Sequence, residues 1–345
     1  MRARARGFWG SVTTIVRVLV VGAGAVGQVF AHHLAQAGAS VTLLVKPKYR
    51  AELASGLTMA RLRVGHAPQR ERFEGYDLVT APHEADGQRW DQVYFTVSSA
   101  ALRDGDEIAP WVSTIARVSR DATIVFLQPN LDDRALVSAV IDEARMVDGM
   151  IGFLSYQAPL PGETRFAERC MAYWFPPLSP CAFSGPEARV NAVVELLQRG
   201  GLPAVRRHDI TRTAPFPNAI LYAYLAALES QQWSLRALRS GHHLEHAATA
   251  AREAMAIAAH RIGADTVPWN ARLANSPALV RMALRFAPAI VPLPLEPYLR
   301  VHFTKVGEQM RLGLRAYVEF GDAEGLPTTA LRELGERVHA LPPAS

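Results

Sequence analysis

Apolar positions along the chain fall into two rhythms. In the first two-thirds, short apolar runs end in polar or glycine residues, at 18–21, 41–45, 92–97 (QVYFTV), 122–127 (ATIVFL) and 146–156 (MVDGMIGFLSY). Runs of that length, rich in β-branched and aromatic residues, predict strands buried on both faces. Helical patterns lie between them: Val29, Leu34 and Ala37 can share a face before Gly38 ends it, and residues 187–199 are stopped by Gly200-Gly201. Residues 61–80 alternate weakly and predict a hairpin or edge strands. The proline- and aromatic-rich stretch 159–186 predicts irregular late strands, and 203–208 a last one. Strands alternating with helices predict a mostly parallel sheet covered on both faces. From Pro217 the rhythm changes to long segments of helical period, at 218–238, 244–262, 277–287 and 297–320, which predict an all-α second part.

The first strand runs into a glycine-rich turn, Gly22-Ala23-Gly24-Ala25-Val26-Gly27. Gly22 permits the tight turn, Gly24 lets the backbone approach a pyrophosphate, and Gly27 lets the following helix pack on the strand. The unpaired N–H groups and positive dipole end of that helix then face the phosphates. A G-x-G-x-x-G that follows a buried strand and opens a helix predicts a dinucleotide site. After the second strand comes Lys46-Pro47-Lys48-Tyr49-Arg50, with no acid from 39 to 51. An acid there would bond the ribose of NAD, whereas a cation pairs with the 2′-phosphate of NADP. Lys46 and Lys48 are therefore the expected phosphate contacts, with a solvated basic loop as the plain alternative. Ligands lie beyond the carboxyl ends of such strands. Ser98, Ser99, Gln128 and Asn130, at two strand ends, are candidates to border the nicotinamide, or else ordinary strand-end polar residues. The expected organisation is an extension without order (1–14), a Rossmann-like α/β domain (15–208), and a helical substrate and dimerisation domain (209–345).

Composition narrows this reading. The chain is 49% hydrophobic and 20% charged, a globular balance. Arg2, Arg4 and Arg6 supply three of its +5 net charge, and the rest forms no basic block with interleaved aromatics, which argues against nucleic acid. Two cysteines, Cys170 and Cys181, make no disulfide framework and fit a cytoplasmic protein. The arginine-rich start imitates a signal peptide, but the apolar run after it is the first strand of the nucleotide fold. The longest apolar tract, 278–295, carries Arg281 and Arg285 and is broken by three prolines, so no membrane span is expected. The apolar stretch 277–299 instead suggests a homodimer held by the helical part, or a roof over the active site.

A G-x-G-x-x-G with a lysine-bearing second strand, joined to a helical second part of this size, resembles the ketopantoate reductase family. LLVKPKYRAELASGL after the second strand, His208-Asp209-Ile210 before the first long helix, and Gly325-Leu326-Pro327-Thr328 near the end add to the resemblance. It implies NADPH-dependent reduction of a 2-keto acid to a 2-hydroxy acid. The family's lysine acts as general acid, its asparagines hold substrate, and a glutamate and a serine come from late helices. The chain departs from that pattern. The window 211–218, TRTAPFPN, holds no lysine; a second family lysine falls at Ser98; the family's Asn-Gly becomes Pro129-Asn130; and its late glutamate falls at Gln309 or Glu308.

Reducing a carbonyl needs a hydride donor and a group that protonates or polarises the acceptor atom. On the first long helix Asn218, Tyr222, Glu229 and Gln232 make a polar stripe, from which Asn218 and Tyr222 are candidate substrate ligands. His302, Lys305 and Gln309 stand at i, i+3 and i+7 of the helix expected at 297–320, so one face carries all three. Lys305 is the one lysine outside the cofactor loop and the expected proton donor, with Tyr222 its rival. His302 and Gln309 complete the expected substrate site. His242, His243, Glu245 and His246 imitate a metal cluster but lack H-E-x-x-H, and no metal is expected. The leading expectation is an NADPH-dependent oxidoreductase acting on a small keto compound, an apolar one among the options. Imine reduction in the same architecture and a non-catalytic NADP-binding module are the alternatives.

Overall fold

A computed structural model describes residues 15–105, 107–128 and 130–339. The extension expected at 1–14 lies outside the described residues.

An eight-stranded sheet forms the backbone of the first part. Its strands are β1 (Arg17–Val21), β2 (Ser40–Leu44), β5 (Asp77–Val79), β6 (Gln92–Phe95), β9 (Thr123–Phe126), β10 (Met146–Met150), β13 (Cys181–Ser184) and β14 (Ala204–Arg206). The spatial order is β14-β13-β10-β9-β6-β1-β2-β5, all parallel except that β13 meets β10 antiparallel. Chain order reverses direction between β1 and β6, which makes that point the switch where such sheets bind ligands. Four further strands, β3 (Leu57–Arg61), β4 (Gln69–Phe73), β11 (Leu154–Ala158) and β12 (Cys170–Trp174), form a second sheet in the order β11-β12-β3-β4. A two-residue pair, β7 (Arg103–Asp104) with β8 (Glu107–Ile108), completes the strands.

Helix α1 (Ala25–Gln36) lies between the two sheets and is buried over much of its length, including His32 and His33. His33 meets Tyr173 of β12 edge-on at 5.5 Å between ring centres, and His32 meets Phe73 of β4 at 5.4 Å. Helices α2 (Arg50–Ala54), α3 (Pro110–Val118), α4 (Asp133–Ser138) and α5 (Glu187–Arg199) fill the remaining crossovers. Val112 and Ile115 of α3 pack with Leu19, Phe95 and Ile124, covering the face of the sheet opposite α1.

The expected single strand at 146–156 is in fact two, because the chain leaves β10 for the other sheet. At Gly152, in that passage, a Cβ would lie 2.3 Å from the Ser179 carbonyl oxygen. No other residue fits so close an approach.

The second part is helical: α6 (Pro215–Ser230), α7 (Leu235–Arg239), α8 (His243–Arg261), α9 (Trp269–Ala274), α10 (Pro277–Ile290), α11 (Leu295–Lys305), α12 (Gly307–Ala323) and α13 (Thr329–His339). Its core is built on α6 and α8, where alanines at 219, 223, 226, 247, 250, 251 and 254 let two backbones pack closely, with α12 and α13 closing the cluster. Two expected helices are each divided. The first ends at Ser230, where Gln232 and Trp233 take φ of +54° and +64°. The stripe expected through Glu229 and Gln232 is therefore cut short, and Glu229 pairs instead with Arg311 at 2.9 Å. The second divides at Val306, between α11 and α12. No single helix among the described residues is long and apolar enough to cross a membrane.

Candidate active site

The site grows from the switch point. Gly22 takes a φ of +98°, which few other residues adopt, and its N–H donates to the Leu44 carbonyl at 2.9 Å. A Cβ on Gly27 would lie 2.0 Å from the Gly22 carbonyl oxygen, so the helix can sit this close to the strand only with glycine there. Gly24 differs: nothing lies within 4 Å of where its Cβ would be. That open side, at the N-cap of α1, is the cradle a pyrophosphate requires. The α1 terminus has no side-chain cap and no acid in its first turn, which leaves its N–H groups and dipole end available to an anion. Ala23 contributes a carbonyl that accepts from Gln28 at 2.8 Å, while Ala25 and Val26 form the first helical turn. Thr96, just beyond β6, steadies the turn by donating to the Val21 and Gly22 carbonyls at 2.9 and 2.6 Å.

Lys46 and Lys48 are exposed just past the carboxyl end of β2. The Lys48 ammonium lies 5.0 Å from the centre of the Tyr49 ring, and Arg50 is 4.0 Å from the Glu84 carboxylate. Ser98 stands at the start of a short 3-10 turn after β6, with no side-chain cap bond, and is half-buried. Gln128 has another occupation. Its amide nitrogen donates to the Phe95 and Val97 carbonyls at 3.0 and 2.9 Å, and its oxygen accepts from Leu127 N–H at 3.1 Å. The side chain stitches the ends of β6 and β9 together.

Across the switch point the two halves of the chain meet in one polar network. The Tyr222 hydroxyl donates to Asn130 Oδ1 and also bonds the Gln309 side chain. Gln309 Oε1 accepts from the backbone N–H of Ser99 at 3.1 Å. Behind them Asp133, fully buried, accepts from Ser99 Oγ and Arg103 at 2.5 Å each and from Asn130 N–H at 3.2 Å. Burial pushes the Asp133 carboxyl up, opposed by those donors, and burial likewise raises the Tyr222 hydroxyl well above its ordinary range. Tyr222 thus stays a protonated donor. Gly313 of α12 faces it so closely that a Cβ there would lie 2.7 Å from the ring. Asn218 stands one turn earlier on α6, half-buried.

Lys305 and His302 are placed elsewhere. The break at Val306 puts Lys305 at the end of α11 and Gln309 in the first turn of α12, so the shared helical face expected for them does not exist. Lys305 is exposed. His302 stacks on Tyr298 at 5.3 Å, and burial with the Lys305 charge lowers it to about 4. It is a neutral packing group against Tyr298, whose other neighbour is Tyr156 at 5.8 Å between ring centres. Arg103 and Asp133 escaped the sequence reading. The spacing of Asp133, three residues after Asn130, is the signal of a side chain closing a turn.

Fold and site together define a dinucleotide-binding α/β protein whose switch point is faced by a helical second part. The model of the family "Ketopantoate reductase PanE/ApbA" matches residues 18–179, most of the first part of the chain, which resembles that family there. The family comprises NAD(P)-dependent dehydrogenases of ketopantoate and 2-hydroxy acids. Solved structures agree in fold over almost the whole chain. A 2-dehydropantoate 2-reductase from Geobacter metallireducens aligns with a TM-score of 0.69 at 16% identity, covering 94% of this chain and 99% of that one. A D-mandelate dehydrogenase solved with NADH and anilino(oxo)acetate gives 0.70 at 13% identity, covering 94% and 97%. A PanE/ApbA family ketopantoate reductase from Ralstonia eutropha gives 0.69 at 17%, again covering 94% and 97%. No curated protein matches the sequence.

Proposed function

We propose that the protein is an NADPH-dependent reductase of a small keto compound. The observation that carries this reading is the open, uncapped α1 terminus at Gly24, beside a strand end bearing Lys46 and Lys48 and no acid. Bound NADPH would supply the hydride. The chain's own part is to hold the carbonyl and protonate its oxygen. Tyr222 is the proton donor in this reading, since an alkoxide formed from a carbonyl is a stronger base than a phenolate. Asn130 and Gln309 position the hydroxyl, and Asn218 adds a polar group one turn away. Lys305, in water at the end of α11, is an auxiliary cation rather than the general acid.

Calorimetry with both cofactors tests the first half. A charge-assisted contact to the 2′-phosphate is worth about 1.5–3 kcal/mol, so NADPH should bind about one to two decades more tightly than NADH. Lys46→Glu should erase or reverse that preference. Equal affinities in the native protein would reject the assignment. A panel of 2-keto acids, ketones and imines tests the second half. The window 211–218 lacks the lysine that the family resemblance implies, and this favours one competing reading, a non-catalytic NADP-binding module. Tight NADPH binding with turnover of no compound would support that reading instead.

A further inference from the structure

Helix α10 buries none of its residues fully, although most of them are apolar. Its two apolar rows explain this. Val280 and Leu284 face inward and pack on the helical core. Leu279, Met282, Phe286 and Ile290, at i, i+3, i+7 and i+11, form a second row on the outside. Their exposures of 38%, 53%, 52% and 57% are those of side chains standing in solvent. Helix α9, which touches α10, adds Trp269 at 71% and Leu273 at 51%. Such a row needs an occupant.

Charge identifies the occupant. From 266 to 307 the chain carries Arg272, Arg281, Arg285, Arg300 and Lys305 against one acid, Glu296, whose carboxylate is turned to the Leu235 N–H at 2.7 Å. Arg281 is answered by Glu245 at 2.5 Å, but among the described residues Arg272 and Arg285 have no carboxylate partner. A second copy of this chain fits poorly. A two-fold interface sets the face against itself, and α9 and α10 bring no acid to answer its arginines. An apolar row with an exposed tryptophan, flanked by unanswered arginines, matches an anionic lipid surface instead. The bend of 105° between α10 and α11 and the inward packing of Val280 and Leu284 keep the helix lying along the protein surface, not across a bilayer.

We propose that α9 and α10 form a docking face for an anionic membrane surface, with Phe286 and Ile290 entering the headgroup boundary and Arg272 and Arg285 meeting lipid phosphates. The test is flotation of the full chain with vesicles of phosphatidylcholine alone or mixed with phosphatidylglycerol. The protein should float with the mixed vesicles, weakly or not at all with phosphatidylcholine, and should be released by molar salt, which screens exposed charges. Arg272→Gln and Arg285→Gln should each weaken binding about fivefold. Phe286→Glu should weaken it about tenfold or more, and Ile290→Glu should agree with it. An unchanged circular dichroism melt for each variant separates a lost face from a lost fold. Failure of the native protein to float with mixed vesicles would overturn the proposal. So would flotation unaffected by Phe286→Glu and Ile290→Glu. A dimer by light scattering that Phe286→Glu dissociates, without vesicle binding, would assign the face to a second copy and overturn it too.

Discussion

Tyr222 is the residue on which the two halves of the site converge. Its ring is covered by α12 at Gly313, and its hydroxyl joins Asn130 to Gln309. Removing the hydroxyl leaves Asn130 and Gln309 with an unmatched group in a buried place while sparing the ring packing. Tyr222→Phe should therefore lower turnover by about 10²–10⁴-fold, the usual worth of general acid catalysis, with NADPH affinity little changed. Lys305→Ala should cost less than about tenfold by the same scale, because its ammonium stays in water. Steady-state kinetics of both variants on one turned-over substrate decide between the two donors. A larger loss in the Lys305→Ala protein would restore the lysine to the role its rarity suggested.

Elements differ in how far the sequence discloses them. The turn from β1 into α1 was legible because its glycines answer backbone demands that no other residue meets, and those demands are local. Helix α5 was legible down to its stop for the same reason. The breaks at Gln232-Trp233 and at Val306 were not. The first contains no glycine or proline, and its non-glycine residues at positive φ are imposed by packing elsewhere in the fold. The second lies between Lys305 and Gly307, and a single glycine inside a long helical pattern does not mark a break. Losing the Val306 break misplaced Lys305 relative to Gln309. The network itself was out of reach in a different way, since Gln309 meets Ser99 from 210 residues away and Tyr222 meets Asn130 from 92. Residue types could nominate these side chains, but only the fold could assemble them. Gly313 carries a prediction on this scale. In Gly313→Ala the added methyl meets the Tyr222 ring inside a packed core, so thermal melts should show a loss of about 1–3 kcal/mol despite alanine's better helix propensity. Unchanged stability would mean that α12 can move off α6 freely.

At the scale of the whole molecule, the two sheets of the first part are joined through a pair of histidines on α1. His33 Nδ1 lies 2.6 Å from the Gly200 carbonyl at the end of α5, and burial, partly offset by that bond, lowers its pKa to about 4. Burial also lowers His32, opposed by Glu71 of β4 at 3.3 Å. Arg61 of β3 further disfavours a charged His33, and Tyr173 of β12 packs on it as a neutral ring. The unfolded chain binds a proton near pH 6.5 that folded His33 refuses until about pH 4. Stability is therefore complete above about pH 6.5 and falls as the pH drops toward 4, by on the order of 3 kcal/mol from His33 alone. His33→Asn, which keeps a donor for Gly200, should flatten this slope in denaturant melts taken between those limits. An equally steep slope in the variant would remove His33 as its source.

The bonds from Tyr222 to Asn130 and from Ser99 to Gln309 also bear on what happens before any chemistry. The polar groups at the switch point answer one another. On the proposed function, a keto compound that takes the Tyr222 proton would have to displace Asn130, and what it gains would be the difference between two sets of hydrogen bonds. Molecules offering only apolar contact leave that clasp shut. Those with an acceptor placed to replace the Asn130 oxygen can open it, which makes admission itself the first act of selection.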